Sequence, residues 1–307
     1  NFVIIDSNRQ VRKKLYLKTA GNPIQVIIDG LRQLKDEFTD AEIKAVGTTG
    51  SGRQLASFLV GADIVKNEIT AHAAASLYEY PDAQTILEIG GQDSKIIIIR
   101  NGVVVDFAMN TVCAAGTGSF LDRQAQRLGI PIQKFGEIAL LSKKPTRIAG
   151  RCAVFAESDM IHKQQMGHRT EDIIWGLCQA LVRNYLSNVA KGKEIKSKIL
   201  FQGGVAANLG IKKAFEQELQ CDIIVPKNYD VMGAIGVALL ADKFMERNKH
   251  LKTNFNGFDI ILKEHDIKSF ECSGCPNTCE IIQLFLDKKL IARWGDKCGK
   301  WSSDIAV

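Results

Sequence analysis

The stretch from Thr85 to Ala108 does most to restrict the fold. Thr85-Ile-Leu-Glu-Ile89 is an apolar run of strand length that stops at Gly90-Gly91-Gln92-Asp93, and two more apolar runs, Lys95 to Arg100 and Val103 to Ala108, flank Asn101-Gly102. Asn-Gly readily takes the left-handed backbone pair of a two-residue hairpin, so these runs predict neighbouring antiparallel strands. Elsewhere strand and helix patterns alternate. Ile43 to Val46 passes through Gly47-Thr-Thr-Gly-Ser-Gly-Arg53 into a helix, and Lys198 to Gln202 ends at Gly203-Gly204. Such units belong to α/β folds, which place chemistry at strand ends. The expectation is an α/β chain with mixed sheets.

The remaining patterns fill in that frame. Asn1 to Asp6 and Val11 to Lys18 predict an opening hairpin, and Asn22-Pro23-Ile24 starts a helix that runs to about Phe38. Thr170 to Val189 predicts a long amphipathic helix and Ile223 to Pro226 a short strand, while Tyr229 to Ala241 is a helix whose Gly233, Ala234, Gly236 and Ala238 let another backbone approach closely. A chain of 307 residues with 46% hydrophobic content can bury two cores. The breaks fall at Pro81 to Gln84, at Tyr229 and near Lys249. They predict a first lobe over 1–82, a second over 83–228, a helix over 229–248 returning to the first lobe, and a Cys-rich segment over 249–307.

Net charge is +6, densest from Lys191 to Lys198, without the arginine and aromatic series of a nucleic-acid footprint. No apolar run approaches the roughly 20 residues that span a bilayer, and no charged-then-apolar leader opens the chain, so a cytoplasmic protein without membrane attachment is expected. In that compartment eight cysteines are expected to be thiols or ligands rather than disulfides. Cys178 and Cys221 read as ordinary buried thiols.

Chemistry concentrates in turns. Gly90-Gly91, Gly116-Thr117-Gly118 and Gly203-Gly204 each follow or abut a strand, and together they can line one phosphate-containing ligand. None forms a GxxxxGK[ST] loop, and no GxGxxG fingerprint with an acidic partner is present. Gln92 and Asp93 are the catalytic candidates beside the first turn. Asp93 suits either a hydrated Mg²⁺ and an attacking water or the capping of its own turn. Glu68, in Asn67-Glu-Ile-Thr-Ala-His72, is a second carboxylate able to position water, or simply a helix-opening acid; His72 reads as a partly buried helix residue.

Cys113 precedes Ala-Ala-Gly-Thr-Gly-Ser119, which opens a helix capped by Ser119 and Asp122, with Leu121, Ala125 and Leu128 on one stripe and Gly129 and Pro131 at its end. Backbone N–H groups pointed at Cys113 would favour an anion, a thiolate or a metal. Cys152, in Gly150-Arg-Cys-Ala-Val-Phe, also stands before a helix. Two thiols are half of what a cubane iron–sulfur cluster needs, and a two-fold homodimer would supply the other two. On spacing alone a pair of inert core cysteines is the simpler reading. Cys272, Cys275, Cys279 and Cys298 form a denser set, suited to Zn²⁺ or to a second iron–sulfur cluster.

In combination, Gly21-Asn-Pro-Ile24, Asn67-Glu-Ile-Thr70, Ile89-Gly-Gly-Gln-Asp-Ser-Lys95, Cys113-Ala-Ala-Gly-Thr-Gly-Ser-Phe-Leu121, Gly150-Arg-Cys-Ala-Val-Phe-Ala-Glu-Ser158 and Gly203-Gly-Val-Ala206 give a specific resemblance over Phe2 to Ala241. The chain resembles the ATP-dependent activators of 2-hydroxyacyl-CoA dehydratases, grouped with the ATPase subunits of benzoyl-CoA reductase. The resemblance implies the actin, sugar-kinase and heat-shock-chaperone fold, with two lobes and ATP or ADP with Mg²⁺ in the cleft. It implies that Ile89 to Lys95 is the second phosphate loop and Gly203-Gly204 the adenosine loop. It also implies that Cys113 and Cys152 hold one 4Fe–4S cluster between two subunits.

Two departures accompany it. The family's first phosphate loop would lie ahead of Asn1, so the sequence reads as lacking part of its ATP cradle. The Cys-rich tail resembles the segment that succeeds an activator module in large, multi-module CoA-substrate-specific activases. The function implied is a homodimer that takes an electron from a reduced ferredoxin or flavodoxin. Closing its lobes on ATP, it passes the electron at low potential to a dehydratase. The competing expectations are a nucleotide-gated binding module or carbohydrate kinase with inert cysteines, and a degenerate structural repeat within a larger activase.

Overall fold

The computed structural model describes residues 1–19, 21–110, 114–150 and 152–302. The chain divides into two compact units, Asn1–Ala71 with Gly233–Val307, and His72–Met232.

The first unit opens with the antiparallel pair β1 (Phe2–Ile5) and β2 (Val11–Leu15), joined by a turn in which Asp6 accepts from Asn8 and Gln10 N–H. In α1 (Pro23–Lys35) Asn22 caps the Gln25 N–H at 3.1 Å, proline occupies the first turn, and Ile28, Leu31 and Leu34 form the buried face. The strand expected at Ile43 to Val46 falls instead at β3 (Gly47–Thr48), parallel to β4 (Ile64–Val65) across α2 (Arg53–Val60). Val46, just ahead of β3, donates its N–H to the Asp63 carboxylate, and its carbonyl accepts from the N–H groups of Asp63 and Ile64. α3 (Glu68–Glu79) follows, and Asn67 accepts from its Thr70 N–H.

In the second unit β5 (Thr85–Ile89), β6 (Ser94–Arg100) and β7 (Val103–Asn110) form the expected meander, with Asn101 and Gly102 at φ 52° and 74° in its hairpin turn. Next come α4 (Gly118–Arg127), α5 (Ile132–Ala139), α6 (Ala153–Gln165), α7 (Thr170–Asn188), β8 (Ile199–Gln202), α8 (Leu209–Leu219) and β9 (Ile223–Ile224). The sheet runs β7-β6-β5-β8-β9, antiparallel from β7 to β5 and parallel from β5 to β9, so it is mixed as expected.

Its core joins Leu87, Ile89, Ile96 and Phe201 of the sheet to Phe120, Phe135, Met160, Leu177, Tyr185 and Phe215 of the helices. Tyr185 and Phe201 each meet Phe215 edge-on at 5.3 Å. Side chains of that size stabilise by roughly 1.5–3 kcal/mol each when fully buried. Two helices depart from the sequence expectation. α5 lies in a stretch for which the sequence pattern predicts no helix, held by Phe135 and Ala139. Thr117 rather than Ser119 stands at the N-cap position of α4, and the Ser119 N–H donates to Gly91 O.

α9 (Met232–Arg247) returns to the first unit, where Gly236 packs so tightly that an added Cβ would stand 1.7 Å from the Ala71 carbonyl oxygen. The small residues of this helix thus serve close backbone packing. The cysteine-rich segment forms the antiparallel sheet β10 (His265–Glu271), β11 (Glu280–Leu286) and β12 (Lys289–Trp294). Leu284, Leu286 and Ala292 from this segment share one core with Leu31, Leu34 and Leu59, and Trp294 lies 5.6 Å from the Phe58 ring.

Candidate functional site

β5 and β8 are parallel neighbours in register from Thr85↔Ile199 to Glu88↔Gln202, so the turns that follow them leave the same sheet edge side by side. The third glycine turn is bonded through its backbone to the first of them and packs against Val205 beside the second. Gly118 N–H donates to Gly90 O at 2.8 Å and Ser119 N–H to Gly91 O at 2.9 Å. Glycine is required here. Gly203 has φ +86° and its Cβ would fall 2.3 Å from Ile89 O, and a Cβ on Gly118 would lie 3.0 Å from Gly90 O. Around Gly91 nothing lies within 4 Å of that position. Gly90, Gly91, Thr117, Gly118, Gly203 and Gly204 are therefore gathered at one place, with Gly116 behind them against Ser94 and Asn184. The N–H groups of Gly118 and Ser119 are both spent on the Gly90-Gly91 turn.

A buried charge group underlies these turns. The hairpin register sets Glu88 opposite Lys95, and Lys95 Nζ lies 3.1 Å from Glu88 Oε2 and 2.8 Å from Asp93 Oδ2. Glu88 is 5% exposed and Lys95 4%. Burial pulls the lysine down, but the Glu88 and Asp93 carboxylates outweigh it and hold the ammonium above its ordinary range. Tyr185 donates to Lys95 O at 2.6 Å; burial and the Glu88 charge push its phenol well up. Glu88 Oε1 stands 3.3 Å from the Cβ position of Gly90 and 2.7 Å from that of Gly203, between the two turns. Asp93 also closes its own turn, accepting Gly90 N–H at its carbonyl at 2.9 Å, and Gln92 is exposed beside it.

Glu88 escaped the sequence reading because a single acid in an apolar strand carries no motif. The available signal was its distance from the turn, matched by that of Lys95 on the returning strand. Glu68 belongs to the first unit, half-buried at the start of α3 with Arg53 Nη1 3.5 Å away.

Cys152 stands at the N-cap position of α6 and is half-buried. α7 fixes the connector leading to it. Asp172 accepts from Ser142 Oγ at 2.7 Å and Lys144 N–H at 3.0 Å, Arg183 donates to Ile148 O at 2.9 Å, and Asn184 Nδ2 donates to Gly150 O at 2.8 Å. Next to Cys152, Val154 and Phe155 are 68% and 66% exposed. Cys113 lies outside the described residues, so its expected pairing with Cys152 does too. Cys178 is core, and burial raises its thiol far above the ordinary range.

The C-terminal cysteines share one end of their sheet. Cys272 N–H donates to Cys279 O at 2.8 Å, Trp301 Nε1 donates to Cys272 Sγ at 3.2 Å, and Cys298 Sγ is 3.9 Å from Asp296 Oδ2. Cys275 and Cys298 are exposed. Among the described residues no three Cys, His, Asp or Glu side chains stand in metal-binding geometry. The four thiols are thus not gathered into one ligand set among the described residues, and the indole N–H holds the Cys272 thiol below its ordinary range.

Among the described residues no helix is long and apolar enough to cross a membrane. The chain is 36% identical over 213 residues to the 2-hydroxyisocaproyl-CoA dehydratase activator of Clostridioides difficile, covering 69% of this chain and 79% of that protein. It is 35% identical over 195 residues to the (R)-2-hydroxyglutaryl-CoA dehydratase activating ATPase of Acidaminococcus fermentans, covering 64% and 74%. The solved Clostridium difficile activator with bound ADPNP superposes with a TM-score of 0.72 and 32% identity, over 82% of this chain and 93% of that one. These likenesses confirm the actin-like, mixed α/β fold expected from the motifs. The sequence matches the BadF/BadG/BcrA/BcrD ATPase family over residues 3–241, a span that holds all three glycine turns and both cysteine turns, and the chain belongs to that family.

Proposed function

We propose that this chain is an ATP-driven reductive activator that hands a low-potential electron to a 2-hydroxyacyl-CoA dehydratase or a related acceptor enzyme. The observation that carries the reading is the meeting of three glycine turns over the Glu88, Lys95 and Asp93 group at the ends of β5 and β8. The turns suit phosphate because glycine backbone can approach oxygen closely and offer N–H groups, and Gly203-Gly204 is assigned to the adenosine side. Glu88 and Asp93 supply the hard oxygen donors that suit Mg²⁺, and Gln92 with Asp93 is placed to orient water. Glu68 is retained as a second water-positioning carboxylate.

Cys113 and Cys152 are assigned to a 4Fe–4S cluster shared by two copies, which when bound supplies one-electron transfer. Cys152 suits thiolate ligation at a helix N-terminus, and the exposed Val154 and Phe155 beside it suit burial against a second copy. A reduced ferredoxin or flavodoxin is the class of donor.

Anaerobic purification with iron and sulfide analysis tests the assignment. About four irons per dimer are expected, with loss in Cys113→Ser and in Cys152→Ser and retention in Cys178→Ser. An anaerobic wild type that is monomeric and free of iron would sink the cluster. Nucleotide affinity, measured separately with ADP, tests the ATPase half.

A further inference from the structure

Lys95 is 4% exposed, and its ammonium lies between a strand carboxylate and a turn carboxylate, 3.1 Å from Glu88 and 2.8 Å from Asp93. Glu88 Oε1 in turn reaches the space between Gly90 and Gly203. We propose that Lys95 is a positioning residue that makes divalent-cation binding at the phosphate turns conditional on nucleotide. The inference rests on the ATPase reading above and goes beyond it.

Charge balance is the physical basis. Two carboxylates brought together by a tight turn without a counter-ion would repel, and either one takes up a proton or a divalent cation neutralises both. The ammonium removes that need, leaving Glu88, Lys95 and Asp93 with one net negative charge between them. It also orients both carboxylates, at 3.1 and 2.8 Å, with Tyr185 fixing the lysine backbone at 2.6 Å. A bare cation then gains little by entering. Nucleotide phosphates add the missing negative charge, so cation and nucleotide enter together, and Lys95 need not touch either. An empty protein is thereby kept from loading metal without ATP.

The test titrates Mn²⁺ into nucleotide-free protein, following free Mn²⁺ by electron paramagnetic resonance, and repeats the titration with ADP present. Wild type is expected to bind Mn²⁺ well only with ADP. Lys95→Met is expected to bind Mn²⁺ at least about tenfold more tightly without nucleotide, since a buried counter-charge in contact with both carboxylates is gone. Lys95→Met with Glu88→Gln, which restores the wild-type charge sum, is expected to return nucleotide-free Mn²⁺ affinity to the wild-type level. A merely structural lysine would move stability in these variants and leave the nucleotide-free Mn²⁺ affinity alone. If Lys95→Met does not fold, Lys95→Gln keeps a hydrogen-bond donor in place and carries the same expectation. A folded variant lacking the lysine charge with unchanged nucleotide-free Mn²⁺ affinity overturns the proposal. Calorimetry with ADP on wild type keeps the two readings apart: absence of ADP binding defeats the ATPase reading, while the nucleotide-free arm still decides the role of Lys95.

Discussion

His72 Nδ1 lies 2.8 Å from Gln202 Oε1, tying α3 to the last residue of β8, one position ahead of Gly203-Gly204. Gln202 is fully buried, and its amide also donates to Ser76 Oγ, which donates to His72 O. His72→Ala leaves the Gln202 carbonyl buried without this partner, so a loss of about 1–3 kcal/mol in urea unfolding is expected. ADP affinity should fall with it, because the glycine turn loses its anchor. A His72→Ala protein as stable as wild type would remove the histidine from the site's support.

Glycines in the same site should respond differently to alanine. Gly203→Ala puts a methyl 2.3 Å from Ile89 O at a left-handed φ, so destabilisation by about 2 kcal/mol or more is expected, together with loss of nucleotide binding. Gly91→Ala meets nothing within 4 Å. It should fold normally and weaken ADP binding only through the approach of the ligand. Equal thermal stability of the two variants would contradict the geometry.

Asp172 makes a prediction about acid. Its carboxyl is held below the ordinary range first by the Ser142 hydroxyl and then by the Lys144 N–H. A depressed carboxyl contributes stability that is present above its unfolded pKa, about 4, and is lost as pH falls through the folded value. Urea midpoints of wild type and Asp172→Asn should therefore differ most near pH 7 and converge below about pH 4. A gap independent of pH would mean that the carboxylate charge does not hold the connector to Cys152.

Local chemistry made some of this legible in advance. Asn101-Gly102 specified β6 and β7 because a two-residue loop leaves few alternatives, and Gly90-Gly91 and Gly203-Gly204 marked the strand ends that meet at the site. α5 was obscured because Pro131 reads as a terminator and a short helix carries little periodicity, and its hold on the fold comes from Phe135 reaching a distant core. Glu88 was invisible for a related reason: its partner Lys95 is seven residues away along the chain but directly opposite across the hairpin. The four C-terminal cysteines carry a chelating spacing, but the hydrogen bond to the Cys272 sulfur comes from Trp301, 29 residues further along the chain, which no local spacing announces.

Asn184 and Tyr185 are consecutive on α7, yet one grips the carbonyl of Gly150, two residues ahead of Cys152, and the other the carbonyl of Lys95. Both grips depend on helical phase. One residue inserted into α7 just before Asn184 would turn the pair by about 100° and release both loops together. The same insertion after Val189 would leave them in phase. The strand that carries Lys95 and the turn that carries Cys152 are thus indexed to one helix, and a frame error in that helix would unseat both in a single event.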